Sequence, residues 1–221
     1  MNMEKSSESA GGNVPVLRVQ GLQFGFPGHP LFARWEADFP AGLSLVLGGD
    51  GAGKTSLLRL LAGAVNPQAG RLVLHGVDAV ERSDDYRAQV FWRDPRAPWP
   101  DMLTPQGWVD TIVPNQVTWS SEDWDAHVTG FGLLPHLHKP MHQLSSGSQR
   151  KVLLAAALAS GAALTLIDEP VAALDKPSIT YLLQALRQEA MAPRVSGPGR
   201  ALVLAHYELL EELPWRNVVM L

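Results

Sequence analysis

Hydrophobic positions follow two periods along this chain, and the change from one to the other lays out its elements. Residues 14–26, VPVLRVQGLQFGF, alternate as a half-buried strand does and stop at the Pro27-Gly28 turn. Residues 33–42, ARWEADFPAG, extend that texture to a second turn at Pro40-Ala41-Gly42. LSLVL, residues 43–47, is instead a continuous apolar run, the pattern of a strand covered on both faces. Leu57, Leu58, Leu60 and Leu61 then recur at helical spacing, and Gly63 ends that helix. GRLVLHG, residues 70–76, is a further strand between glycines.

Regular texture returns at Leu144. A helix over 148–160 (SQRKVLLAAALAS) leads to a strand over 163–170 (ALTLIDEP). A second helix over 178–190 leads, through a flexible 191–200, to the strand ALVLAH over 201–206. Strand and helix alternate, so the expected fold is α/β: a mainly parallel sheet with flanking helices, preceded by an antiparallel β portion. The longest apolar run, residues 152–167, is broken by Ser160-Gly161 and falls short of the roughly 20 residues a membrane span needs, so it is a buried helix followed by a buried strand.

Residues 94–143 differ in character. Trp92, Trp99, Trp108, Trp119 and Trp124 lie in or just before this proline-rich stretch. It is expected to be a small, mostly helical subdomain of one domain spanning 14–221, with residues 1–13 as a disordered tail. The tryptophans suit either packing within that subdomain or a docking surface. His136, His138 and His142 sit in a proline-interrupted loop without cysteine or a nearby carboxylate, which favours a solvated loop over a metal site.

Composition narrows the classes. The 221 residues contain no cysteine, as suits a reducing compartment. Net charge is −4, so no general basic field attracts nucleic acid, and no nucleic-acid partner is expected.

The chemistry begins at residues 48–55, GGDGAGKT, which match G-x-x-x-x-G-K-[ST] between a strand and a helix. In that setting the backbone amides of Gly48, Gly49, Asp50, Gly51, Ala52, Gly53 and the following Ser56 converge on phosphate oxygens at a helix N-terminus. Lys54 reaches the terminal phosphates, and the Thr55 hydroxyl is a ligand for Mg2+. LTLIDEP, residues 164–170, brings Asp168 to a strand end, where it helps to hold the Mg2+ shell through water. Glu169 follows as a candidate general base for attacking water. These motifs point to a P-loop NTPase with a Mg2+-dependent nucleotide site.

LSSGSQRK at 144–151, AALDK at 172–176 and a strand ending in His206 stand in a fixed order around that strand. With the P-loop they make the chain resemble the ATP-binding cassette (ABC) transporter ATPases over nearly its whole length. The short cassette with DEPVAALDK is also similar, more weakly, to the haem-exporter ATPases of cytochrome c biogenesis. The resemblance implies two cassettes pairing head to tail, as a homodimer or with another ABC subunit. ATP then lies between one P-loop and the other chain's Ser145, Ser146, Gly147 and Ser148. It implies that Asp175 links the two sites, that His206 contacts the γ-phosphate and steadies Glu169, and that Phe26 stacks on adenine. It implies coupling to a separate integral membrane permease, with the ATPase peripheral on the cytoplasmic face.

Three departures from the family pattern stand out. Arg93 occupies the place of a Mg2+-ligating glutamine, and a guanidinium cannot coordinate a cation; it can pair with Asp94 or reach a phosphate instead. Gln89 and Gln106 are nearby substitutes. Ser146 replaces a glycine, where a Cβ crowds the backbone approach, and Ser148 replaces a glutamine. Slow hydrolysis, or an alternative role as a nucleotide-gated binding module, follows from these departures. If Arg93 is a brake, Arg93→Gln raises the ATPase rate.

Overall fold

The computed structural model describes residues 14–192 and 199–221. The expected tail at 1–13, and the centre of the expected flexible linker at 193–198, lie outside the described residues. Strands β1 (Leu17–Phe26) and β2 (His29–Phe39) form a hairpin through Gly28, whose φ of 77° suits a residue without Cβ. β4 (Ala69–Leu74) pairs antiparallel with β1, and β5 (Val77–Asp78) pairs antiparallel with β4.

The second sheet runs β6 (Val90–Phe91), β7 (Leu164–Asp168), β8 (Ala201–His206), β3 (Gly42–Leu47) and β9 (Asn217–Met220), all parallel. Alternate residues of its central strands enter two separate cores. Leu43, Leu45, Ile167, Leu202 and Leu204 face one, while Val46, Leu164, Leu166, Val203 and Ala205 face the other. That explains why β3 and β8 show no polar alternation: both faces are covered.

Helix α1 (Lys54–Leu61) follows the glycine turn and buries Leu57, Leu58, Leu60 and Leu61 completely. Each such leucine contributes about 1.5–3 kcal/mol of burial. Gly63, at φ 65°, closes the helix through its N–H to Leu60 O and that of Ala64 to Arg59 O. The short α2 (Ser83–Arg87) places Tyr86 in the same core, its hydroxyl donating to Leu61 O.

The middle segment carries α3 (Pro105–Ile112) and α4 (Ser121–Gly130), with 3-10 turns at Val113–Asn115, Leu134–His136 and Met141–Gln143. Thr104 and Ser120 cap the two helices through the amides of Gly107 and Asp123. Residues 94–104 have no helix, because Pro95, Pro98 and Pro100 each remove a donor. The tryptophans pack: Trp108 and Trp124 are buried, Trp99 and Trp119 lie edge-on or tilted against them, and Trp124 Nε1 donates to Gln106 Oε1. α4 lies against α5 (Ser146–Ala159), and α6 (Lys176–Met191) covers the same core. Among the described residues no helix is long and apolar enough to cross a membrane.

Candidate active site

Strand order decides the site. β8 lies between β7 and β3, and Leu47 is in register with His206, as Asp168 is with Ala205. The glycine turn after β3, the Asp168-Glu169 pair and His206 therefore emerge at the same sheet edge, beyond the carboxyl ends of the strands. There they surround a cavity of about 1090 Å³, lined by Phe26, residues 49–56, Arg150, Asp168, Glu169 and Tyr207 among others. That is ample for a drug-sized ligand.

Gly51 and Gly53 adopt φ of 77° and 97°, the second as N-cap of α1. The turn curls around Lys54, which is buried. Lys54 Nζ donates to Gly48 O at 2.8 Å and Gly49 O at 3.2 Å, and lies 3.3 Å from Glu169 Oε1. Thr55 Oγ1 donates to Asp168 Oδ2 at 2.6 Å. The other Asp168 oxygen, Oδ1, is buried without a hydrogen-bond partner. Burial pushes the Asp168 carboxyl up, the Thr55 hydrogen bond pulls it down, and nearby Glu169 adds to the rise. An orphaned carboxylate oxygen beside a hydroxyl, at the foot of a phosphate-binding turn, fits a hard divalent cation.

Glu169 has φ 46°, a left-handed backbone for a residue that carries a Cβ. Arg150 donates to the carbonyls of both Asp168 and Glu169, the latter at 2.5 Å, and so holds that turn. His206, 2% exposed, places Nδ1 2.6 Å from Glu169 Oε2. An ionised Glu169 can only accept, so Nδ1 carries the proton in this pair.

Ser145 caps α5 by accepting from Ser148 N, and Ser145 and Ser146 are exposed at that N-terminus. Ser146 opens α5 with its side chain exposed, and the tight intrachain contact here belongs to Gly147, where a Cβ would lie 2.8 Å from Ala173 O. Asp175 caps α6 and pairs with Lys151 at 2.8 Å, and these contacts hold its carboxyl well below the usual range. Phe26 is exposed at the cavity with its ring edge-on to Phe24.

Arg93 neither pairs with the Asp94 carboxylate nor lines this cavity. Its guanidinium donates to the carbonyls of Asp94, Ala97 and Pro98 at 3.0–3.2 Å and lies 3.7 Å over the Trp99 ring. Asp94 is held by Arg59 of α1 instead. Gln89 and Gln106 are also engaged elsewhere, with Asp85 O and with Asp110. His136 and His142 pair with Lys139 and Asp101 O. Arg150, Tyr207 and Arg96 join the cavity without having been singled out by sequence; only their closeness to LSSGS, His206 and Arg93 could have flagged them.

A strand, glycine turn and helix, with an Asp-Glu strand and a histidine beside it, define a nucleotide-hydrolysing P-loop protein. The ABC transporter family model matches residues 38–172, and the chain belongs to that family as an ATP-binding subunit, an ATPase. It is 33% identical over 208 residues to the nickel import ATP-binding protein NikO of Rhodobacter capsulatus, covering 89% of this chain and 81% of that protein. It is 31% identical over 199 residues to the cytochrome c biogenesis ATP-binding export protein CcmA of Pseudomonas fluorescens, covering 88% and 90%. Among solved structures, an ATP-binding subunit of an ABC transporter superposes with TM-score 0.77 at 20% identity over 89% of this chain and 81% of that one. An ATP-binding protein of a putative ABC transporter from Pyrococcus furiosus gives 0.72 at 21% identity over 91% and 96%.

Proposed function

We propose that this chain is one half of an ATP-closed dimer that drives a separate membrane permease from the cytoplasmic face. The observation that carries this is the cluster Lys54–Glu169–His206 with Thr55–Asp168, gathered at one phosphate-binding turn.

Residues 48–56 cradle the phosphates of ATP, with Lys54 turning from Glu169 to the terminal oxygens when they arrive. Thr55 directly, and Asp168 through water, would hold Mg2+, which supplies charge neutralisation on the phosphate oxygens when bound. Glu169, released by Lys54, accepts a proton from water attacking the γ-phosphate. His206 fixes the orientation of Glu169 and, with its other nitrogen, contacts the γ-phosphate. Phe26 stacks on the adenine.

The exposed N-terminus of α5 supports the second half of the scheme. Ser145, Ser146, Gly147 and Ser148 offer hydroxyls, amides and the positive end of a helix to a phosphate on another chain. Asp175, close to that terminus through Lys151, links the paired sites. The partner is a second copy or another ABC subunit. The relatives include an import protein and export proteins, which is consistent with the permease setting cargo and direction.

Light scattering tests the dimer. Glu169→Gln with Mg2+ and ATP is expected at twice the monomer mass, and with ADP at the monomer mass. One unchanged mass under both conditions contradicts ATP-driven pairing.

A further inference from the structure

Pro95 and Arg96 line the same cavity as the P-loop, although they belong to the proline-rich segment. The backbone that presents Arg96 is tied down on every side. Asp94 Oδ1 accepts from Arg96 N at 2.9 Å, and Ala97 N donates to Asp94 O at 3.0 Å. The Asp94 carboxylate is held by Arg59, and the far side of the turn is clipped by Arg93 across three carbonyls and the Trp99 ring. Arg59 lies four residues after Thr55 on α1, hence on the same helix face. The turn is therefore tethered toward the Thr55–Asp168 end of the cavity, where the scheme above puts the terminal phosphate, rather than toward Phe26.

Lys54 and Arg150 already have partners, although Lys54 exchanges Glu169 for phosphate in the scheme above. Lys54 bonds two carbonyls and Glu169, and Arg150 bonds the carbonyls of Asp168 and Glu169. Among the described residues, the Arg96 guanidinium makes no hydrogen bond or close ion pair; its charge acts on the nearby Asp94 carboxylate, and the residue is exposed and lines the cavity. A tethered turn that presents a guanidinium with its N–H donors unused is a preorganised anion contact.

We infer that Arg96 contacts the terminal phosphate of the bound nucleotide and makes the site prefer a triphosphate over a diphosphate. This rests on the nucleotide site proposed above. The planar guanidinium matches two phosphate oxygens, so the contact is lost when only a diphosphate is present.

Calorimetric titration of the full chain with Mg2+ and either AMP-PNP or ADP tests it. Arg96→Ala is expected to weaken AMP-PNP about tenfold and to change ADP less than twofold, as for loss of a charge-assisted contact. Arg96→Glu is expected to weaken AMP-PNP further, with an unchanged unfolding temperature. Equal effects on both nucleotides, or none on either, would overturn the inference. Lys54→Ala run alongside keeps the two ideas apart. If it loses both nucleotides while Arg96→Ala matches the wild type, only the role of Arg96 falls. If it binds both normally, the nucleotide site itself falls and Arg96 with it.

Discussion

His206 Nδ1 sits 2.6 Å from Glu169 Oε2, while the other Glu169 oxygen lies 3.3 Å from Lys54 Nζ. One carboxylate thus joins His206 to Lys54, across three neighbouring strands. His206→Ala removes the buried partner that orients Glu169. ATP hydrolysis is expected to fall about 10²-fold or more, with nucleotide affinity changed little. A rate within threefold of wild type, at unchanged affinity, would show that Glu169 needs no such support.

Gly147 meets Ala173 across the gap between α5 and the loop before α6. Ala173 is itself held at φ 61°, so its carbonyl has little room to retreat. Gly147→Ala is expected to cost about 1–3 kcal/mol by overpacking, and Ser146→Ala less than about 0.5 kcal/mol. Thermal unfolding of the two variants decides; equal shifts would place the close approach elsewhere.

The motifs were legible because each is contiguous and set by local chemistry. The P-loop needs only a strand, glycines and a helix start, and Asp168-Glu169 needs only the end of an apolar strand. β9 was not legible. It has four residues, half of them exposed, and is a strand only because β3 offers it an edge. β5 and β6, two residues each, are hidden for the same reason. The use made of Arg93 depends on where three prolines leave the carbonyls of residues 94–98, and on the Trp99 ring. The Arg59–Asp94 pair joins residues 35 apart, which no local pattern encodes.

That geometry changes the expectation for Arg93. A brake would be relieved by glutamine, but Arg93 acts as a clip for the turn. Arg93→Gln is expected to lower stability by about 1–3 kcal/mol through lost carbonyl contacts and ring stacking, and not to raise the ATPase rate. Faster hydrolysis with unchanged unfolding would restore the brake.

Burial pushes the Asp94 carboxyl up, but hydrogen bonds from Arg59 and the Arg96 amide outweigh it and hold the group below its ordinary 3.8. A carboxyl depressed by folding stabilises the protein above its unfolded value, and that contribution is lost as pH falls through the folded one. Arg59→Gln is therefore expected to be less stable by about 1 kcal/mol at pH 7, discounted for the half-exposed arginine. The gap should close as pH drops from about 4 downward. Unfolding series carried from pH 7 down to about 2 test this, and a gap independent of pH over that range would mean that Arg59 acts by packing alone.

The most direct test of the whole account is steady-state phosphate release from ATP by the wild-type chain and by Glu169→Gln. The wild type is expected to release phosphate, and the variant to do so about 10²-fold or more slowly, with ATP still bound. Equal rates in both would contradict it.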